Sequence, residues 1–277
     1  MAENPKPLKN LRGKLLLAGA GKMGGAMLAG WLKRGLDPKN LIVVEPAPVK
    51  AISALRRRGA SINPEQVRSA ASVIVVAVKP QTAPEALPAL NARAGKNTLV
   101  VSIMAGRTLT FLEKSFGARI PIVRAMPNLP ASIGRGITVA VANKSVTKGQ
   151  RAIADSLLAT TGAVEWVDDE ALLDAVTAVS GSGPAYLFLL AEALTAAAID
   201  AGLPKTLAAK LARETIAGSG ELLRASPLEA AVLRQNVTSP GGTTAAALEV
   251  LMGPGGFETL LTTAVAKATR RSRELAG

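Results

Sequence analysis

The stretch LLLAGAGKMGGAM, Leu15–Met27, decides the fold. A short apolar run meets the spacing Gly19-x-Gly21-x-x-Gly24, and a helix-forming segment, Met23–Arg34, follows. Strand, glycine turn and helix in that order open a dinucleotide-binding βαβ unit. The glycines permit a tight turn and close approach of backbone to a pyrophosphate. The helix N-terminus offers free N–H groups and the positive end of its dipole. Glu45 closes the next apolar run, 21 residues after Gly24, where an acid can take ribose hydroxyls. Gly19, Gly21, Gly24 and Glu45 are the first cofactor-binding candidates. A bare glycine turn would explain the glycines but not the acid.

Working outward, further β-branched runs lie at Ser72–Val78, Thr98–Ile103, Ile120–Ala125 and Gly136–Ala142. Most are nearly continuous apolar runs, as in strands buried on both faces of a parallel sheet. Helix-like segments such as Val49–Arg58 fall between them. This alternation predicts an α/β fold, an N-terminal Rossmann-type doubly wound sheet. After AVEWVDD, Ala163–Asp169, strand signals vanish and Ala/Leu-rich helices take over. The expected domains are residues 1–168, which bind the dinucleotide, and 169–277, an all-helical dimerisation and substrate-binding part. Its helices are apolar over wide faces, for example Ala185–Leu203, so a partner subunit should cover them.

Composition narrows the chemistry. Of 277 residues 48% are hydrophobic and only 3% aromatic, so the core must be Ala, Val, Leu and Ile. There is no Cys and no His, which removes thiolate chemistry, disulfides, the commonest general base and the commonest transition-metal ligand. No metal site is expected. The net charge of +13 is uneven: residues 1–80 hold 14 Lys/Arg against 4 Asp/Glu, and residues 169–277 hold 9 against 11. A basic first half suits small anions such as dinucleotide phosphates. Scarce aromatics argue against base stacking, so no nucleic-acid partner is expected. The longest charge-free apolar stretch, Ala175–Ala191, is interrupted by SGSGP, and a spanning helix needs about 20 apolar residues. With a polar N-terminus, the expectation is a soluble cytoplasmic protein without membrane partners.

Four further motifs carry candidates. VAVKPQ, Val76–Gln81, ends a strand, and Lys79 there either faces the cofactor or is a solvated lysine before a helix. SIMAG, Ser102–Gly106, and RAMPNLPA, Arg124–Ala131, also follow strands and should line the same edge, bringing Ala105, Gly106 and Asn128 to it. Asn128 could meet ribose or carboxamide, or simply cap a turn. In VSGSGP, Ser180 and Ser182 precede Pro184, an expected helix start. One serine would serve as a cap; two serines and two glycines exceed that need. Finally, Ser239-Pro-Gly-Gly-Thr-Thr precedes a helix. Free N–H groups of the first turn plus hydroxyls from Ser239, Thr243 and Thr244 make an uncharged anion cradle, suited to a carboxylate.

Taken together these motifs resemble the pyrroline-5-carboxylate reductase family over nearly the whole chain, Lys14–Leu275. GAGKMG, AVKP, RAMPN, SGSGPAY, AGLP and VTSPGGTT stand in the family's order. The resemblance implies a Rossmann domain and a helical dimerisation domain, with homodimers often assembled further. It implies NADPH or NADH as cofactor and a cyclic imino acid, 1-pyrroline-5-carboxylate, as substrate. By position, it places Gly19, Ala20, Gly21, Lys22, Met23 and Gly24 on the cofactor, joined by Val78, Lys79, Pro80 and Asn128. It places Ser239, Gly242, Thr243 and Thr244 on the substrate carboxylate, with Thr244 near the ring nitrogen as the catalytic candidate. The chain departs at Leu129, where the family often has Thr, and at acidic Glu45, which NADPH-preferring members lack.

Such a reaction needs little acid–base machinery. A cyclic imine can take its proton from water, and hydride then attacks an electrophilic iminium carbon. Orientation of the reactants suffices. Two competing readings are a β-hydroxyacid dehydrogenase and a nucleotide-sensing regulator without turnover. The first needs a lysine after the glycine-serine motif, and Ser180–Ala193 has none. The second does not need the SPGGTT cradle.

Overall fold

The computed structural model describes residues 8–65 and 70–276; the polar start of the chain lies outside them. Two compact units emerge: the chain up to Gly181 together with its end from Thr269, and Ser182–Ala268. The division falls later than the expected boundary near Asp168 because Leu173 packs against Val139 and Val141 of the first unit.

The first unit holds eight strands: β1 (Leu15–Ala18), β2 (Leu41–Val44), β3 (Ser61–Ile62), β4 (Ala71–Val76), β5 (Ala94–Ser102), β6 (Ile122–Met126), β7 (Gly136–Ala142) and β8 (Gly162–Trp166). Their order in the sheet is β3-β2-β1-β4-β5-β6-β7-β8. Its helices are α1 (Lys22–Lys33), α2 (Lys50–Ser53), α3 (Ala83–Asn91), α4 (Leu109–Phe116), α5 (Lys148–Leu158) and α6 (Leu172–Val176). The helix expected over Val49–Arg58 is α2 continued by a 3₁₀ turn, Ala54–Arg58, which ends at Gly59 with φ +93°.

The apolar strands are continuous because both sheet faces are covered. Leu15, Leu17, Val73 and Val75 join Trp31, Met27 and Leu157 in one core. The alternate residues Leu16, Ala18, Ile74 and Val76 join Leu87, Leu112 and Phe116 in another. Trp31 is fully buried, and its Nε1–H donates to the Leu157 carbonyl at 3.0 Å, which locks α1 to α5.

All neighbours pair in parallel except β6 and β7. Only residues 127–135, with the 3₁₀ turn Leu129–Ile133, join those two strands. A parallel crossover needs a dozen or more residues, so β7 returns antiparallel; α5 then supplies the crossover to β8.

The second unit contains α7 (Gly183–Asp200), α8 (Lys205–Ala225), α9 (Ala230–Asn236), α10 (Thr243–Leu251) and the start of α11 (Phe257–Ala276). The last turns of α11 belong to the first unit, where the Ser272 hydroxyl donates to Asp174 Oδ1 at 2.7 Å and Arg273 Nε lies 3.9 Å from Asp174 Oδ2. A short turn with Gly202 at φ +96° joins α7 to α8, and the two pack together.

SGSGP marks a change of helix: a π turn, Thr177–Gly181, continues α6, Ser182 bends, and α7 starts at Gly183, the whole helical run extending from Leu172 to Asp200. That run is long and apolar enough, by length and composition, to cross a membrane, a property that core helices of soluble proteins share. Its outer face is open in the single chain: Phe188 is 57% and Leu189 63% exposed.

Candidate functional site

The sheet order reverses between β1 and β4, the place where doubly wound sheets bind ligands beyond their carboxyl ends. There Gly19 leaves β1 at φ +87°, a conformation glycine adopts freely. A Cβ on Gly19 would stand 2.5 Å from the Ala77 carbonyl oxygen, and one on Gly24 would collide with the Gly19 carbonyl oxygen. These two glycines let α1 pack onto the sheet. Gly21 is different. It is the N-cap of α1, makes no side-chain cap, and a Cβ there would meet nothing within 4 Å. The space beside Gly21 at the start of α1 is therefore open.

Glu45 follows β2. Its Oε2 accepts from the Ala20 N–H at 2.7 Å and its Oε1 from the Ala47 N–H at 3.1 Å, so the carboxylate lies against the glycine turn. Arg56 of the basic run donates instead to the Ile62 carbonyl at 3.0 Å. Val78, Lys79 and Pro80 follow β4, with Lys79 exposed. Ala105 and Gly106 follow β5, and Asn128 follows β6. The sheet thus gathers the cofactor-binding candidates along one edge. Asn128 Oδ1 accepts from the Ile137 N–H at 3.0 Å, the turn-closing role that the sequence left open.

Two supports of this edge had no sequence signal. Arg107 donates through Nη2 to the Pro80 carbonyl at 2.8 Å and lies over the Phe111 ring, tying the loop after β5 to the one after β4. Arg124 Nη1 of β6 meets Glu170 Oε1 at 2.6 Å, and the same oxygen accepts from the Leu109 N–H at 2.7 Å. The side chains are 6% and 26% exposed. This pair fixes the start of α4 and hence the loop holding Ala105 and Gly106.

The remaining candidates divide. Ser180 donates its hydroxyl to the Val176 carbonyl at 3.0 Å, so it braces the π turn. Ser182 is the N-cap of α7, where it makes no side-chain cap, and Pro184 follows in the first turn as expected. At α10, Gly241 has φ +67° and the Gly242 N–H donates to the Ser239 carbonyl at 3.0 Å, closing a tight turn. A Cβ on Gly242 would displace the Ser239 hydroxyl from its present place. Gly242 is the N-cap and provides no side-chain cap; Thr243 and Thr244 are the first two helical residues, exposed and half-buried respectively. The turn therefore presents uncapped N–H groups and neighbouring hydroxyls without a charge.

A Rossmann sheet with an open glycine turn at its switch point, joined to helices with uncovered apolar faces, defines an NAD(P)-dependent oxidoreductase with a helical association domain. Residues 14–106 match the family model described as NADP oxidoreductase, coenzyme F420-dependent, and residues 170–275 match that of pyrroline-5-carboxylate reductase dimerisation. The pyrroline-5-carboxylate reductase of Synechocystis is 40% identical, across 95% of this chain and 98% of its own, and that of Pseudomonas aeruginosa 38%, across 95% and 97%. The solved structure of the Coxiella burnetii enzyme is 35% identical with a TM-score of 0.87, covering 96% of this chain and 99% of that one. The Plasmodium falciparum enzyme with NADP bound is 29% identical with a TM-score of 0.80, covering the same shares. The chain belongs to the pyrroline-5-carboxylate reductase family.

Proposed function

We propose that the Ser239–Thr244 turn takes the carboxylate of 1-pyrroline-5-carboxylate and that Thr244 stands at the ring nitrogen. The reaction itself, reduction of that imine to proline as the last step of proline biosynthesis, follows from family membership at this identity and coverage. Bound NAD(P)H supplies the hydride that the imine carbon receives. The chain's own residues bind and orient. Gly19, Gly21, Gly24 and the first turn of α1 receive the pyrophosphate, Glu45 the adenosine ribose, and the loops of Val78–Pro80, Ala105–Gly106 and Asn128 the rest of the dinucleotide.

The cradle's neutrality supports its role. A substrate carrying a carboxylate and an iminium must be held at the first without repelling the second. N–H dipoles and hydroxyls do this where an arginine would not. The half-buried Thr244 hydroxyl accepts one hydrogen bond from the iminium N–H, in a chain without His or Cys to do more. The reading assigns residues 1–168 to cofactor and 169–277 to substrate and self-association, and places the enzyme in the cytoplasm. The groove of about 890 Å³ between α7 and α8, lined by Leu187, Phe188, Ala191, Ile199 and Ile216, supports a homodimer through these helices.

The uncapped, hydroxyl-rich start of α10 carries this reading. Its test compares 1-pyrroline-5-carboxylate with 1-pyrroline, which lacks the carboxylate, in wild type and in Ser239→Ala/Thr243→Ala. The double variant should lose kcat/KM for the first substrate by about 10–100-fold, the equivalent of one hydrogen bond to charge, and keep its rate on the second. Equal losses on both would refute the cradle.

A further inference from the structure

Asn63 stands at a place the cofactor reading does not explain. It follows the two-residue edge strand β3, and among the described residues it is the one non-glycine with positive φ, +48°. Its N–H donates to the Val43 carbonyl at 2.8 Å. Its side chain then bonds twice to the backbone of Glu45: Nδ2 donates to the Glu45 carbonyl at 2.8 Å, and Oδ1 accepts from the Glu45 N–H at 2.8 Å. The amide acts as one more peptide unit of β3, extending its pairing with β2 past Val43↔Ile62, where the strand stops. Glu45 is thereby held at both ends, its backbone by Asn63 and its carboxylate by the N–H groups of Ala20 and Ala47.

We propose that Asn63 is a positioning residue for nucleotide discrimination, acting through Glu45; the inference rests on the reading of Glu45 as the ribose-facing acid. A carboxylate fixed on the glycine turn offers acceptors to ribose hydroxyls and opposes a 2′-phosphate charge with charge. A carboxylate on a loose backbone can turn away from the phosphate, and the opposition fades. The residue type fits the task. Asparagine is among the few side chains that tolerate left-handed backbone, and it carries the donor and the acceptor that Glu45's peptide requires. Glycine would keep the conformation and lose both bonds. Aspartate would keep the acceptor, lose the donor and bring a second negative charge beside Glu45.

The test titrates NADH and NADPH separately against the substrate-free protein, by nicotinamide fluorescence, in wild type, Glu45→Gln, Asn63→Gly and the double variant, with thermal melting to confirm folding. Glu45→Gln should move the ratio of the two Kd values about tenfold toward NADPH, the size of one modest charge interaction. Asn63→Gly should move it roughly threefold in the same direction, and the double variant should match Glu45→Gln alone, as expected of residues in one chain of contacts. If Glu45→Gln shifts the ratio while Asn63→Gly weakens both nucleotides equally or neither, the positioning role is overturned and Glu45 stands. If Glu45→Gln leaves the ratio unchanged, the ribose reading falls, and this inference with it.

Discussion

Replacing Gly21 with alanine separates the two duties of the glycine turn. At Gly21 the backbone has φ −66° and ψ −158°, ordinary for any residue, and an added Cβ meets nothing within 4 Å. Alanine lowers the entropy of the unfolded chain by about 0.4–1 kcal/mol and loses roughly 0.5–1 kcal/mol as a poorer N-cap than glycine. The two nearly cancel, so stability should hold within about 1 kcal/mol, or roughly 2–4 °C in Tm. Nucleotide binding should not hold. In the proposed pyrophosphate site the new methyl would stand beside the first-turn N–H groups of α1, and an expected rise in Kd of about 10–100-fold corresponds to ~1.4–2.8 kcal/mol. Gly24→Ala is the contrast. Its Cβ would collide with the Gly19 carbonyl oxygen and press on Ala77 Cβ at 3.1 Å. Overpacking of this kind costs about 1–3 kcal/mol, so Tm should fall on the order of 5 °C before any ligand is added. Melting without nucleotide and fluorescence titration with it read the two effects. A Gly21→Ala protein that binds NADPH and NADH like wild type, or melts as low as Gly24→Ala, would refute the division.

Thr244→Ala should lower kcat by about 10–100-fold, one positioned hydrogen bond of ~1–3 kcal/mol, while nucleotide Kd stays within twofold; full activity would reduce Thr244 to a helix-end residue. Phe188→Asp places a charge on the exposed apolar face of α7 and should give a monomer by sedimentation with activity lost. A fully active monomer would show that the face is not the dimer contact. Glu170→Ala strips the buried Arg124 of its partner and should cost about 3–5 kcal/mol by chemical denaturation; a loss below 1 kcal/mol would mean that water replaces the carboxylate.

Each of the six apolar runs of the first half contains a strand, because a strand covered on both faces must be apolar at every position, and such runs are visible without a partner. β3 was invisible for the opposite reason: a two-residue edge strand has no pattern, and its pairing is extended by the Asn63 side chain. β8 alternates half-buried and exposed residues and read as a boundary. The reversal of β7 was latent in the short 127–135 connection, since chain length alone forbids a parallel crossover there. At the site, glycines and the acid were legible as residue types tied to backbone geometry. Arg107 and the Arg124–Glu170 pair were not, because a cation reaching a carbonyl or carboxylate from another element leaves no spacing in the sequence. The SGSGP stretch showed where α7 begins, after Ser182, but not that a π turn would join it to α6.

The path of the chain sets an order of assembly during synthesis. The first unit is begun at the N-terminus, but its Asp174 finds Ser272 only 98 residues later. At about 5–20 residues per second the ribosome needs roughly 5–20 s to cover that interval. Throughout it the sheet can form while Asp174 of α6 waits in water, and the apolar helices in between emerge with neither their second anchor nor a partner chain. A polypeptide cut after Gly181 would keep all eight strands and stay in that waiting state permanently. The closing turns of α11 are thus the latch of a domain whose body was finished long before.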